Sequence, residues 1–293
     1  MIRFKIYTYE FKPIKEPAEG ELFAPEVNWE ESIAKKQEIF GSYFMADSKL
    51  KFKRSNNQTF DHLVVAQREG VVVLRIANNS SLTHEENFKK WEEDDHPSLC
   101  VIIDNRKDKQ IIAIENRPQA FSDPQTVANI MELSFNRMLH EDRLELQIDA
   151  KYHMHEFWDV EAACEHGVAC VKFKFPFPNL PQITNFVEQL YKEAAESMNG
   201  EPTTIMTARP KEKLKLDKEN PLLDGMIKAA SASGKLIMMR PKGQLKWKQI
   251  GTETPVFEEL SEQVFDRLED GELIPVKWHA IVKFLDRIKT VYA

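Results

Sequence analysis

The sequence predicts an α+β protein, and three kinds of observation support this class. Several short segments alternate apolar and polar residues at period two, which is typical of half-buried strands. Between these segments, residues that favour helix starts precede stretches with apolar positions at helical spacing. The 293 residues are 42% hydrophobic and 30% charged, which is the composition of a folded globular chain and not of a disordered one.

The first hundred residues predict the order β-α-β-β-α-β. Asn28 and Glu31 have the spacing of a capping box at a helix start. Glu69-Gly70 separates two alternating segments, as a hairpin turn does. The expected elements are a strand at 2–11, a helix from Asn28 through Phe40, strands near 60–67 and 71–78, a helix from Thr83 that carries Phe88 and Trp91, and a buried strand at 99–103.

The next hundred residues nearly repeat this order. Asp123-Pro124 is a favourable helix start, because Asp caps free backbone amides and Pro fits the first helical position. The expected elements are strands at 110–115, 143–151, 168–176 and about 203–208, a helix from Asp123, a short helical insert at about 156–166, and a helix from about 182 that ends at Gly200.

The order βαββαβ is that of a ferredoxin-like unit. The sequence therefore predicts two tandem ferredoxin-like (βαββαβ) units, at 1–105 and 106–208. The alternative is one larger mixed sheet with helices, because residues 106–109 could join the strands 99–104 and 110–115 as a hairpin.

Residues 209–293 predict a small C-terminal α/β-hairpin unit. Asn220-Pro221 favours a helix start, and Gly234 favours its end. The further elements are a hairpin at 235–250, a helix from Thr254-Pro255 to Gly271, and a closing helix with Trp278, Ile281, Val282, Leu285 and Ile288 on one face.

In element order, residues 1–208 resemble the two-domain endoribonucleases that process CRISPR repeats. That family has a glycine-rich loop before the last strand of its second unit, where this sequence reads Glu201-Pro-Thr-Thr-Ile. No histidine of this sequence stands in a clearly matching position. The resemblance implies a tandem ferredoxin-like fold and assigns no catalytic residue.

Charge is distributed unevenly along the chain, whose formal net charge is −7. Residues 208–250 contain eleven Lys or Arg and four Asp or Glu, whereas 251–293 contain nine acids and five bases. Basic rows can follow a phosphate backbone, and sheets with basic and aromatic residues can hold single strands. The predicted nucleic-acid-binding residues are Arg209, Lys211, Lys213, Lys215, Lys235, Arg240, Lys242, Lys246, Trp247, Lys248, Lys172 and Lys174. The alternative is that these lysines form solvated strand faces or a protein interface.

A second candidate site is a group of potential metal ligands within 153–170. Thiolates and imidazoles are the ligands that zinc prefers, and zinc is the one cofactor that the sequence suggests. The predicted ligands are His153, His155, Cys164 and His166. The alternative is structural, because no CxxC pair is present and His166-Gly167 suits a helix C-terminus.

Asp104 and the segment Glu115-Asn-Arg117 echo the carboxylate pattern of many metal-dependent nucleases. If their two strands form a hairpin, however, the two carboxylates lie about 10 Å or more apart. Carboxylates that share one magnesium ion must converge much more closely. We therefore do not expect a nuclease centre there.

Other features of the sequence exclude common function classes. The patterns G-x-x-x-x-G-K, G-x-G-x-x-G and G-x-S-x-G are absent, which argues against P-loop, dinucleotide-binding and α/β-hydrolase chemistry. An odd number of cysteines, no signal-peptide core and no apolar stretch of about 20 residues predict a cytoplasmic protein.

The sequence therefore predicts a cytoplasmic nucleic-acid-binding protein that uses the basic segment 208–250. Defence against phage or mobile elements is a hypothesis about the protein's biological role, and no particular residue supports it. One alternative is a protein-interaction subunit, in which the basic segment docks an acidic partner or the protein's own 251–293 tail, or which self-associates. Another is a metal-dependent, nuclease-like enzyme built on 153–170, although the sequence favours binding over catalysis.

Overall fold

A computed structural model of the chain describes residues 1–14, 28–45, 48–107, 109–151, 156–174, 203–232, 237–250, 255–264 and 275–288. Its strands are β1 (Ile2–Pro13), β2 (Phe52–Lys53), β3 (Thr59–Phe60), β4 (His62–Arg68), β5 (Val71–Ala77), β6 (Ser80–Glu86), β7 (Lys89–Asp95), β8 (Ser98–Asp104), β9 (Ile111–Glu115), β10 (Leu144–Ala150), β11 (Val168–Lys174), β12 (Thr203–Thr207), β13 (Ile237–Pro241), β14 (Lys248–Ile250) and β15 (Phe257–Leu260). Its helices are α1 (Trp29–Ala34), α2 (Lys36–Ser42), α3 (Pro124–Leu139), α4 (Glu156–Ala162), α5 (Pro221–Ala232) and α6 (Pro275–Arg287), with 3-10 turns at His140–Asp142 and Glu262–Val264.

Contacts within the chain group it into two compact units. Unit 1 comprises residues 1–6, 13–148 and 257–288, and the described part of unit 2 lies within 7–12 and 149–256. The division of the sequence into 1–105, 106–208 and 209–293 stays a prediction.

The largest sheet has seven strands in the order β10-β1-β9-β8-β5-β4, and β15 also pairs with β1. β1 is buried on both faces from Ile6 to Phe11. Exposed and buried positions therefore alternate only in the first residues of this strand, as they do where one face is open to solvent.

Local start and turn signals in the sequence are confirmed. The Asn28 side chain accepts a hydrogen bond from the Glu30 amide at 3.0 Å, and the Asp123 side chain accepts one from the Gln125 amide at 2.7 Å. Glu69 and Gly70 have φ angles of 49° and 78°. These left-handed values belong to the two-residue turn that matches the twist of a hairpin.

An aromatic cluster holds α2, α3 and β2 together in unit 1. Phe135 of α3 is fully buried. Its ring centroid lies 4.8 Å from that of Phe40, 5.8 Å from that of Phe44 and 5.7 Å from that of Phe52, all with edge-on geometry. Edge-to-face rings contribute beyond the apolar area that they bury, so Phe135 is the centre of this packing.

Two segments that were predicted as helices form strands instead. The segment from Thr83 to Trp91 forms the hairpin β6–β7, and the segment after Thr254 contains β15, which pairs with β1 from Ile2 opposite Leu260. Short apolar patterns fit both helical and strand periods, and pairing with another strand decides between them. The first of these corrections removes a helix from the predicted first ferredoxin-like unit.

β8 and β9 pair as a hairpin, with Val101 opposite Ile114 and Asp104 opposite Ile111, which is the connection on which the larger-sheet alternative rested. The described elements thus confirm a mixed α+β fold with mostly antiparallel sheets. Two tandem ferredoxin-like units are not confirmed, and the helix predicted from 182 to Gly200 lies outside the described residues.

None of the helices that the structure describes is long and apolar enough to cross a bilayer.

Candidate nucleic-acid interface

Unit 2 contains a four-stranded antiparallel sheet in the order β12-β11-β13-β14. One face of this sheet is covered by α4 and α5. The buried residues between them are Phe157, Cys164, Val168, Val171, Phe173, Leu223, Met226, Ile227, Ala230, Ile237, Met239 and Ile250. The Asn220 side chain starts α5 as predicted, accepting hydrogen bonds from the amides of Leu222 and Leu223 at 3.0 and 3.2 Å.

The opposite face of this sheet carries basic side chains and, at its described strand positions, no carboxylate. Side chains alternate along a strand, so neighbours of the buried Val171 and Phe173 point to this second face. The cross-strand pairs there are Lys172 with Ile205 and Met238, Cys170 with Thr207 and Arg240, Lys174 with Thr203, and Met238 with Gln249. We call Lys172, Lys174 and Arg240 the basic face.

Arg240 is held in place by its neighbours. Its Nη2 donates to Cys170 Sγ at 2.8 Å, and its guanidinium carbon lies 5.4 Å from the centroid of the Trp247 ring. Its Nε is buried and has no hydrogen-bond partner among the described residues. Arginine is suited to such a position, because a planar guanidinium can contact an aromatic ring and still donate at its edges.

Loops at one end of the same sheet bring further basic residues together. The amide of Ala208 donates to the Ala169 carbonyl and that of Leu214 to the Val168 carbonyl, each at 2.8 Å, so the chain that follows β12 stays beside the start of β11. From the β13–β14 loop, Lys242 Nζ donates to the Lys211 carbonyl at 2.7 Å. We call the basic residues of these two loops the basic rim: Arg209, Lys211, Lys213, Lys215, Lys242 and Lys246.

Gly167 allows the two loops to approach the start of β11. Its φ is +79°, and its carbonyl accepts a hydrogen bond from the Lys242 amide at 2.9 Å. A Cβ atom at this position would lie 2.5 Å from Cδ of Lys213. The Lys213 side chain therefore passes directly over Gly167, and glycine meets both the backbone and the steric requirement.

The basic rim faces solvent. Of its six side chains, Lys242 is half-buried and the other five are exposed. Among the residues that the structure describes, no ion pair joins a rim side chain to a carboxylate; the ion pair seen within 208–250 joins Lys228 to Asp224 at 2.6 Å. The positive charge of the rim is thus not neutralised by contacts within the described part of the chain.

The other predicted nucleic-acid-binding residues lie away from the basic rim or outside the described residues. β14 begins at Lys248, so Lys246 lies in the hairpin loop and not on a strand face. Lys248 is opposite Met239, which is buried on the helix-covered side of the sheet, while Trp247 lies beside Arg240. Lys235 lies outside the described residues.

The predicted metal ligands are only partly described. His153 and His155 fall outside the described residues, and His166 is exposed. Cys164 is buried in the core of unit 2, where its thiol donates to the Val160 carbonyl at 3.1 Å. Burial raises the pKa of this thiol, although the nearby Lys248 ammonium acts in the opposite direction. In the part of the chain that the structure describes, no three His, Cys, Asp or Glu residues are arranged to hold a metal ion.

The carboxylates of Asp104 and Glu115 do not converge, as the hairpin geometry predicted. Asp104 is opposite Ile111 at one end of the β8–β9 pair, and Glu115 lies at the other end. Asp104 accepts two bonds from the Arg106 guanidinium at 2.8 and 2.6 Å, and Glu115 accepts one from the Cys100 amide at 2.7 Å. Each carboxylate thus has a structural partner.

Sequence reasoning missed several exposed apolar side chains. Leu245, in the loop that carries Lys246, is 91% exposed, and Ile205, beside Lys172, is 55% exposed. Phe88 was expected in a helix and is 98% exposed at the tip of the β6–β7 hairpin. Asn87, which readily adopts left-handed φ, was the one local signal for this turn.

Comparison of the chain with models of protein families, with curated proteins and with solved structures found no match.

Proposed function

We propose that unit 2 binds nucleic acid through the basic rim and the adjoining basic face. The observation that supports this most is the exposure of the rim, where five Lys or Arg side chains lie at one end of a sheet. Because those side chains have no carboxylate partner among the described residues, a phosphate would not have to displace one. Each phosphate contact made by an exposed cation also releases counterions from the nucleic acid, which favours binding.

A single strand is the form that this surface suits best. Lys172 and Arg240 lie on one face of the sheet, and Trp247 lies beside Arg240. Aromatic side chains beside basic residues allow bases to stack while phosphates are neutralised. Such stacking accepts any base, because every base has a flat aromatic face. The proposal is one of binding, with no reaction attached to it.

The direct test is fluorescence anisotropy of labelled single-stranded RNA, single-stranded DNA and duplex DNA over a series of salt concentrations. We expect log K to fall linearly with log salt concentration. The combined substitution Lys215→Gln, Lys246→Gln and Trp247→Ala should weaken binding and flatten that line. The matched control is Lys49→Gln with Lys107→Gln, two exposed lysines of unit 1, which should change neither. Absence of salt-dependent binding to all three nucleic acids would refute the proposal.

A further inference from the structure

The β6–β7 hairpin of unit 1 forms a two-stranded sheet that is separate from the other described sheets. Its strands pair from Ser80 opposite Asp95 to Glu86 opposite Lys89. Seven residues per strand at about 3.3 Å each give the hairpin a length of roughly 20 Å. We call residues 80–95 the hairpin arm.

An aromatic residue occupies the tip of the hairpin arm. The turn residues Asn87 and Phe88 have φ angles of 50° and 64°, and Phe88 is 98% exposed. Glycine is the usual residue at the second position of such a turn. A bulky residue with left-handed φ costs about 1–2 kcal/mol, and full exposure adds the cost of hydrating the ring. Both costs are offset when the ring enters an apolar site on a partner.

The charge of the hairpin arm indicates what kind of partner it fits. Residues 80–95 contain six Asp or Glu and two Lys, a formal charge of −4. A complementary partner surface is therefore basic and offers an exposed apolar contact for the tip. The basic rim has both properties: its side chains are exposed, and Leu245, beside Lys246, is 91% exposed.

We infer that the protein self-associates by placing the hairpin arm of one copy on the basic rim of a second copy, with Phe88 against Leu245. Because each copy carries both the arm and the rim, a second copy of the chain can supply the partner surface. Opposite charges set the orientation and contribute a part of the affinity that salt screens, and the buried aromatic tip contributes the rest.

Sedimentation velocity of the nuclease-treated full chain, over a range of protein and salt concentrations, tests this inference. We expect a dimer at low salt that dissociates as salt rises. Phe88→Ser should raise the dimer dissociation constant at least about tenfold, as loss of an interface aromatic anchor does. Leu63→Ser is the matched control, because Leu63 is also an exposed apolar residue of unit 1, at 54%, and this change should leave the dimer intact.

Reversing one charge on the arm and one on the rim tests whether these two surfaces contact each other. Glu93→Lys on the arm and Lys246→Glu on the rim should each weaken the dimer, and the two changes combined in one chain should restore it. Glu145→Lys, at an exposed position of β10, controls for the change in net charge. All of these positions are exposed, so folding should be unaffected, which circular dichroism melts verify.

A chain that stays monomeric at low salt and high concentration would overturn the inference. So would a dimer that is insensitive to Phe88→Ser, or one that the charge exchange fails to restore. These outcomes are independent of the proposed function, because self-association is measured without nucleic acid and nucleic-acid binding can be measured on the Phe88→Ser variant.

Discussion

Neutralising three exposed residues of the basic rim should weaken binding to single strands by about 100-fold at 0.1 M salt. The change is Arg209→Gln, Lys215→Gln and Lys246→Gln in one chain. Each phosphate contact contributes about −0.7 to the slope of log K against log salt concentration for a single strand. Between 1 M and 0.1 M salt, a slope of this size raises K about fivefold per contact. At 0.1 M salt each lost contact therefore lowers K about fivefold, and three lost contacts lower it about 100-fold.

The structure explains why this change should leave the fold intact. All three side chains are exposed, and none makes an ion pair or side-chain hydrogen bond among the described residues. Surface substitutions of this kind change the free energy of unfolding by about 0.5 kcal/mol or less. The expected loss is therefore one of affinity and of salt dependence, with the slope about 2 units shallower.

The assay is a titration of a labelled single-stranded oligonucleotide at five or more salt concentrations, with the intact chain and the variant compared at each. The matched control is Lys49→Gln, Lys107→Gln and Lys283→Gln, three exposed lysines of unit 1, which remove the same charge elsewhere. If both triple variants lose affinity equally, net charge and not the basic rim accounts for binding. An unchanged slope in the rim variant would equally refute the reasoning.

Three further predictions concern stability. Phe135→Ala should lower the unfolding free energy of unit 1 by about 3–5 kcal/mol in denaturant titrations, because it empties the centre of the aromatic cluster, and Phe135→Leu should cost clearly less. Gly167→Ala should speed amide exchange in β11 and cost about 1–2 kcal/mol, because φ is +79°. Burial holds the pKa of His62 below its ordinary 6.5, so the unfolded state binds that proton more tightly. Stability should fall as pH drops below about 6.5, and His62→Gln should flatten this dependence of the melting temperature.

Each of these predictions can fail in a recognisable way. Equal losses for Phe135→Ala and Phe135→Leu would mean that the emptied apolar volume, which leucine largely refills, does not account for the loss. Unchanged exchange in β11 after Gly167→Ala would show that the turn can relax without cost. A pH dependence that survives in the His62→Gln variant must come from another group.

Local features of the structure could be predicted from the sequence. The helix starts at Asn28, Asp123 and Asn220 depend on a side chain bonding to an amide two or three residues away, so neighbouring residues suffice to predict them. The turn at Glu69-Gly70 depends on backbone conformations that few residue pairs adopt. The basic row of 209–215 could also be recognised, because Arg209, Lys211, Lys213 and Lys215 occupy alternate positions of the sequence.

Other features were decided by tertiary structure. Residues 257–260 are a strand because β1, more than 250 positions earlier in the chain, offers them a pairing edge, and a local window contains no sign of that edge. The sequence placed Phe88 in a helix, whereas strand pairing puts it at a hairpin tip. The sequence also supplied the basic residues of the rim, but it could not show that Lys211 and Lys242 meet. Local hydrogen bonds and backbone preferences act within a few residues, whereas strand pairing joins segments that are distant along the chain.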